Sequence, residues 1–404
     1  MVDLSVEFLG VKFKNPIVTA AGTITWSLNN LKRCIEAGVS AVIPKSVILD
    51  PNRWERPARQ SLFFFDKYNR RQLFTHCSMW FHSPDEQAKL IDEIKPLAQR
   101  EGVVVMGNIL CEASVEGFDE KGIISCAKQL EAAGADMLEL PVVCPTTGAE
   151  SGLNARDRFE KDVQATKFVL STLKGKLGIP HYVKWGYNSS PAEFLEILQT
   201  IETEVNAAHF LPLLPATVVD IETARPVGPV PLLYGHYNAG IGCYFTALAA
   251  KSSKLQIMSS GGFWTWRDIV ESLMCGASLT GVHCAVVYQG YKRFTQMLNG
   301  LTDFMERKGY KKMDDLRGLA VPHIDNAQEI REWLKKRQVP AEAAEILVDD
   351  RKCNGCGMCA MCNAEAVTMK DDIARIDLNL CMRCGACATI CPRDAISVSF
   401  LVSS

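Results

Sequence analysis

The sequence predicts an α/β protein: a (β/α)8 TIM barrel carrying a small cysteine-rich module at its C-terminal end. Three observations predict it. Over residues 1–300, short apolar runs alternate with amphipathic stretches, and eight such units follow one another. Several helical stretches close on glycine, as Leu31–Gly38, Cys126–Gly134 and Ile269–Gly276 do, the ending of a helix before a buried strand. Eight of the 16 cysteines fall between Cys353 and Cys391, which sets the C-terminal region apart. A doubly wound open sheet is the other fold that alternating units allow. At 404 residues and 48% hydrophobic, the chain is long enough for one large barrel with an appendage.

The predicted strands are Pro16–Ala20, Val39–Pro44, Val103–Ile109, Asp136–Leu140, His181–Trp185, Ala207–Leu211, Gln256–Ser260 and Leu279–Cys284. Barrel chemistry sits at the C-terminal ends of such strands, and reading those ends gives a coherent set. The first is followed by Ala20, Ala21 and Gly22, small residues over which a flat ligand can lie. The second leads into Lys45 and Ser46, and the fifth carries Lys184 inside an apolar run. A lysine leaving an apolar strand inward is costly unless it meets an anion. After the seventh come Ser260, Gly261 and Gly262, and after the eighth His283 and Cys284. Loops at these two positions form the usual phosphate site of the fold. His76, His209 and His236 fall near strand ends or loops, where pocket lining and ordinary loop polarity are equally good readings. After the fourth strand, Cys144 opens a loop containing Gly148 and Gly152, a candidate proton donor at the barrel mouth. Residues 301–345 read as a closing helix and linker.

Residues 346–404 form an internal repeat, with Cys381 following Cys353 by 28 positions, and the two halves are expected to be related by a pseudo-two-fold axis. The second half, Cys381-X2-Cys384-X2-Cys387-X3-Cys391-Pro392, is the bacterial ferredoxin run, in which the fourth cysteine ligates the other cluster. The first half, Cys353-X2-Cys356-X2-Cys359-X2-Cys362, is one residue short before its last cysteine. Two [4Fe-4S] clusters are therefore expected, one on Cys353, Cys356, Cys359 and Cys391, the other on Cys381, Cys384, Cys387 and Cys362. A pair of zinc sites is the competing use of CxxC spacing.

Clusters move single electrons, so the barrel must hold the centre that uses them. A phosphorylated, planar, redox-active ligand beside two lysines reads as FMN, with one lysine stabilising negative charge at the N1–C2 edge of the reduced ring. The net charge of −2 makes no electrostatic case for nucleic acid or an anionic membrane surface. No run of about 20 apolar residues occurs, and the N-terminus lacks a signal-peptide pattern. The expectation is a cytoplasmic protein.

These residues resemble the flavin half of dihydropyrimidine dehydrogenase, above all the bacterial FMN and iron–sulfur catalytic subunit, and more distantly class 1 dihydroorotate dehydrogenase. The stretches that carry the resemblance are 6–16, Glu36-Ala37-Gly38, 134–140, Cys144-Pro145, 262–268 and Gly276-Ala277-Ser278. It implies that Lys45 and Lys184 hold the FMN ring. Gly242, Gly261, Gly262, His283 and Cys284 would hold its phosphate and ribityl, and Cys144 would be the general acid or base. The chain departs from the family at the pyrimidine readers. Pro141 stands where the family has asparagine three residues before the cysteine, the region of Phe74 to His76 lacks a second asparagine, and 210–213 replaces an Asn-Thr pair. The expected activity is reduction or reversible oxidation of a C=C bond in a small, non-pyrimidine substrate. Dihydropyrimidine dehydrogenase with an altered pocket, or an electron-transfer subunit whose partner turns over substrate, are the alternatives. The sequence lacks an NAD-binding glycine motif after a first strand. A ferredoxin or an NAD(P)H-oxidising flavoprotein subunit is thus the expected electron partner, in a homo- or hetero-oligomer.

Overall fold

A computed structural model describes residues 2–50, 63–65, 72–76, 81–111, 119–142, 155–187, 190–212, 214–215, 219–226, 231–324, 328, 331–332 and 345–398. It divides into two compact units, 1–324 and 325–404. The first therefore runs beyond residue 300. Helix Lys292–Lys308 buries Phe294, Met297, Leu301 and Met305, and Met313 and Leu316 are buried in the same core, so this stretch is part of the barrel unit.

Eight parallel strands close the barrel in sequence order: β1 (Ile17–Thr19), β2 (Ala41–Val42), β3 (Val104–Asn108), β4 (Met137–Pro141), β5 (His181–Tyr187), β6 (Ala207–Pro212), β7 (Gln256–Ser260) and β8 (Leu279–Val282), with β8 pairing back to β1. The open sheet is excluded. Each strand lies within its predicted run or extends a residue or two beyond it. The helices between them are α1 (Leu28–Glu36), α2 (Pro84–Arg100), α3 (Glu120–Ala132), α4 (Ala155–Leu173), α5 (Pro191–Glu202), α6 (Asn238–Ser252) and α7 (Trp266–Met274), with the short α8 (Cys284–Gln289) and the closing α9 (Lys292–Lys308) after β8.

Local sequence explains the helix ends. Ser83 and Ser190 each accept from the backbone N–H three residues on, while Glu86 and Glu193 bond back to the cap. Proline occupies the first helical position in both, where a missing N–H costs nothing. Gly38, Gly134 and Gly276 follow α1, α3 and α7 with φ of +99°, +100° and +104°, so the glycine endings read from sequence terminate helices as expected.

The floor of the barrel is covered by an antiparallel hairpin, Val6–Phe8 with Val11–Phe13. Phe8 and Phe13 are fully buried, and the Phe8 ring meets the Tyr182 ring edge-on at 5.4 Å. The hairpin turn is tied to the start of β7, where the Leu9 N–H donates to Gln256 Oε1 (2.7 Å). At the other end, chain leaving β2 and β6 builds a four-stranded antiparallel sheet from Phe63–Phe65, Gln72–His76, Pro231–Gly235 and Leu214–Pro215.

The second unit carries the repeat in its pairing. Ile346–Val348 pairs with Ile396–Val398, and Val367–Lys370 pairs with Ile373–Ile376. The leading strand of each half thus joins the trailing strand of the other, the exchange a pseudo-two-fold axis requires. Backbone detail repeats too. Gly357 and Gly385, 28 positions apart, open matching helical turns with φ of +71° and +76°.

Candidate active site and cluster module

The barrel interior is layered. β3, β5 and β7 supply Met106, Tyr182 and Met258 below, with the Tyr182 hydroxyl 3.4 and 3.5 Å from the two sulfurs. The same strands supply Asn108, Lys184 and Ser260 above. Between these layers β4 and β6 insert Glu139 and His209, both 0% exposed. An ionised carboxylate in a barrel core is costly unless every lone pair is met. Here four donors meet it. Asn108 Nδ2 (2.6 Å) and Lys184 Nζ (3.4 Å) donate to Oε1, and His209 Nδ1 (2.5 Å) and the Tyr182 hydroxyl (3.2 Å) donate to Oε2. Burial pushes the Glu139 carboxyl up, but Lys184, His209 and the hydrogen bonds they give outweigh it and bring it down to about 2. Burial also pushes the His209 imidazole down against the pull of Glu139. A neutral ring whose Nδ1–H is committed to a carboxylate leaves Nε2 as acceptor, and the Ser260 hydroxyl lies 2.7 Å from it. His209 is therefore a core strand residue, not a loop residue. Glu139 escaped the sequence reading as a functional group, although a charge inside an apolar strand is the same signal that singled out Lys45 and Lys184.

Lys45 is buried, its Nζ 4.7 Å from the centre of the Phe81 ring. Gln87, from α2, holds the backbone there: its Nε2 donates to Lys45 O (2.6 Å) and its Oε1 accepts from the Asn108 N–H (2.9 Å). The Asn108 side-chain oxygen is buried without a partner among the described residues. Ser46 is buried, and its carbonyl accepts from the His82 N–H (3.0 Å). His283 caps α8, and its Nε2 accepts the Thr23 N–H at 3.2 Å. Its imidazole is brought down to about 4 by desolvation and then by the charges of Lys45 and Lys184, so the structure brings these three groups to one place. Ala20 and Ala21 lead to Gly22, where a Cβ would lie 2.4 Å from His283 Nε2. Cys284 is buried and its thiol pushed up to about 12 by desolvation.

The β7 loop is built for close approach. Gly261 and Gly262 have φ of +116° and +83°, and a Cβ on Gly262 would lie 2.4 Å from Gly235 O and 2.6 Å from Ala239 N, at the start of α6. Gly242 sits a turn further in, its carbonyl accepting from the Thr246 hydroxyl (2.7 Å), and a Cβ there would meet only ordinary contacts at 3.5 Å. His236 is partly exposed and bonded to Asp268 (3.0 Å). Cys144 lies outside the described residues, as do Cys77 and the side chain of His76.

In the second unit Cys353, Cys356, Cys359 and Cys391 line one cavity with Met369, Ala374 and Ile396. Burial, and then the neighbouring Cys353, Cys356 and Cys391 thiols, push the Cys359 thiol up. Cys381 and Cys384 act on Cys387 in the same way, after its own burial. Among the described residues no three His, Cys, Asp or Glu side chains converge tightly enough to hold a single metal ion. Cys362 and Cys391 occupy matching turns: Glu365 N–H bonds Cys362 O (2.9 Å), and Asp394 N–H bonds Cys391 O (3.3 Å). The missing residue of the first run is absorbed in its helical turn, three residues at Met358–Ala360 against four at Ala386–Thr389.

Comparison with known proteins bears on both units. The family model described as dihydroorotate dehydrogenase matches residues 3–305. The chain belongs to the dihydroorotate dehydrogenase family. A second model, described as a 4Fe-4S binding domain, matches residues 374–397, the second cysteine run. The enzyme is thus an FMN- and iron–sulfur-dependent oxidoreductase acting on CH–CH groups. Family relatives include the proteins named dihydroorotate dehydrogenase B (NAD(+)), catalytic subunit, of Methanothermobacter thermautotrophicus, 28% identical over 325 residues (78% of this chain, 98% of theirs), and of Pyrococcus furiosus, 26% identical over 331 residues (79% and 99%). The crystal structure of DHODH from Eimeria tenella in complex with ferulenol shares the fold, with a TM-score of 0.60 at 18% identity over 78% of this chain and 88% of that one. The resemblance read from sequence is therefore shown at the level of this family. No helix among the described residues is long and apolar enough to cross a membrane.

The mouth suits FMN. Two lysines offer cations to an electron-rich ring, and an orphaned buried amide oxygen can accept a ring N–H.

Proposed function

We propose that this enzyme reduces, or reversibly oxidises, a C=C bond in a small substrate other than a pyrimidine, drawing on two [4Fe-4S] clusters. When bound, FMN supplies the exchange between single electrons and a hydride. Lys45 and Lys184 would hold the ring and Asn108 would accept from it. The β7 loop at Gly261 and Gly262, with His283 and Cys284 opposite, would take the phosphate and ribityl. Cys144 would protonate the substrate carbon.

The observation that carries the substrate reading is the pair of strand ends at Pro141 and Pro212. β4 and β6 both finish in proline, paired to Lys184 and Tyr187 of β5. Neither offers a side-chain donor or acceptor, and an unmatched amide of a buried pyrimidine costs roughly 1–3 kcal/mol. Support for two clusters comes from the matched turns at Cys362 and Cys391 and from the shared cavity of Cys353, Cys356, Cys359 and Cys391. A ferredoxin or an NAD(P)H-oxidising flavoprotein subunit would exchange electrons with them, in keeping with relatives named dihydroorotate dehydrogenase B (NAD(+)), catalytic subunit.

The relatives' name favours a second reading, with dihydroorotate or another dihydropyrimidine as substrate. Anaerobic mixing of the reduced enzyme with uracil, thymine, orotate and a panel of non-pyrimidine unsaturated carbonyl compounds tests both. Reoxidation of the flavin by a non-pyrimidine alone supports the proposal. Efficient turnover of a pyrimidine at an ordinary KM, about 1 μM to 1 mM, overturns it in favour of the second reading.

A further inference from the structure

The hydrogen bonds around Glu139 form a continuous relay across the barrel. The Ser260 hydroxyl donates to His209 Nε2 (2.7 Å), His209 Nδ1–H donates to Glu139 Oε2 (2.5 Å), and Lys184 Nζ donates to Glu139 Oε1 (3.4 Å). Every member is nearly or wholly out of solvent, with Lys184 the most exposed at 12%. We infer that Glu139, oriented by His209 and Ser260, is a positioning residue that fixes the Lys184 ammonium and sets how much of its charge reaches the flavin ring. The inference rests on the reading that FMN lies against Lys184.

The argument is electrostatic. A cation beside the reduced ring stabilises it, and an anion 3.4 Å behind that cation offsets part of its field. The offset depends on how much carboxylate charge is left for the lysine. Asn108 and Lys184 share Oε1, while His209 and Tyr182 hold Oε2 and draw charge away from it. A carboxylate that loses a donor on Oε2 leans harder on its remaining partners. Glu139 fixes which nitrogen of His209 carries the proton, because an ionised carboxylate only accepts and so requires Nδ1–H, and the Ser260 hydroxyl then donates to the free Nε2 and holds the ring in place. Ser260 also directly precedes Gly261, so the position of the β7 loop is tied to the lysine.

The sign of the effect separates this role from simple structural support. Glu139→Gln removes the compensating anion while keeping the shape, so the midpoint potential of bound flavin should shift positive. His209→Leu removes a donor to the anion, so more of its charge falls on Lys184 and the potential should shift negative. His209→Gln offers an N–H for Glu139 and an oxygen for Ser260, so it should stay near the wild type. The measurement is a spectroelectrochemical titration of anaerobically purified holoenzyme, with flavin content determined for each variant. Unchanged potentials in variants that retain FMN, or shifts of the same sign for Glu139→Gln and His209→Leu, overturn the inference. If Glu139→Gln does not fold, the two His209 variants decide alone: a negative shift in Leu restored by Gln supports the inference, and equal potentials overturn it. A wild-type enzyme that binds no FMN overturns the underlying reading of the site instead.

Discussion

His283 is held in its neutral form by geometry as well as charge. The Thr23 N–H occupies Nε2, so a proton added there would break a hydrogen bond as well as face Lys45 and Lys184. Its folded value of about 4 lies below the ordinary 6.5. Between these two values the unfolded chain takes up a proton that the folded ring refuses. The stabilising contribution is therefore complete above pH 6.5 and is lost as pH falls towards 4. Thermal melts across that range should show wild type losing more stability on acidification than His283→Gln, which keeps an acceptor for Thr23. Parallel curves count against the assignment. Cys144 calls for a different test. A protonated thiol can supply the proton that the substrate carbon needs. Cys144→Ala should keep flavin and iron and lose about 10²–10⁴-fold in turnover where chemistry limits. A wild-type rate for that variant removes Cys144 from the mechanism.

At the level of elements, the glycines proposed for the phosphate side divide by what surrounds them. Gly262 has positive φ and backbone atoms 2.4–2.6 Å from a would-be Cβ, so Gly262→Ala must move either β7's loop or the start of α6. It should lower the melting temperature and FMN content together. Gly242 is a helix-interior position with room around it, and Gly242→Ala should gain about 0.5–1 kcal/mol of stability through helix propensity alone. Calorimetry on the two variants reads both outcomes. This contrast also marks what sequence can reveal. The eight strands were legible because each is an apolar run bounded by a capping signal, and Lys45 and Lys184 were legible because a charge in such a run is anomalous. Glu139 carries the same anomaly, but its meaning depends on partners from β3, β5 and β6, which only closure of the barrel assembles. Gly242 and Gly262 are indistinguishable as letters; their difference is one of φ and of neighbours distant in sequence. The barrel unit reaches residue 324 through α9, whose outer face is polar and whose buried stripe of Phe294, Met297, Leu301 and Met305 is sparse, a weak signal in the sequence.

For the molecule as a whole, the proposed chemistry divides between the two units, electron transfer in the second and substrate in the first. Anaerobically purified protein should carry about eight irons and eight acid-labile sulfides per chain. Cys384→Ser should halve both and leave the flavin in place, because Cys384 belongs to the second unit and the residues proposed to hold FMN belong to the first. Stoichiometric zinc, or flavin lost along with the iron, contradicts this division. Within the barrel unit, by contrast, the two ends are joined through one side chain. Tyr182 presents its ring edge-on to Phe8 of the floor hairpin and its hydroxyl to Glu139 beneath the mouth. The floor hairpin is consequently within two contacts of the carboxylate that faces Lys184. Trimming that hairpin to simplify expression, or fusing a bulky tag so close to it that the strand pairing loosens, would be a perturbation of the redox centre disguised as a change to the chain's edge.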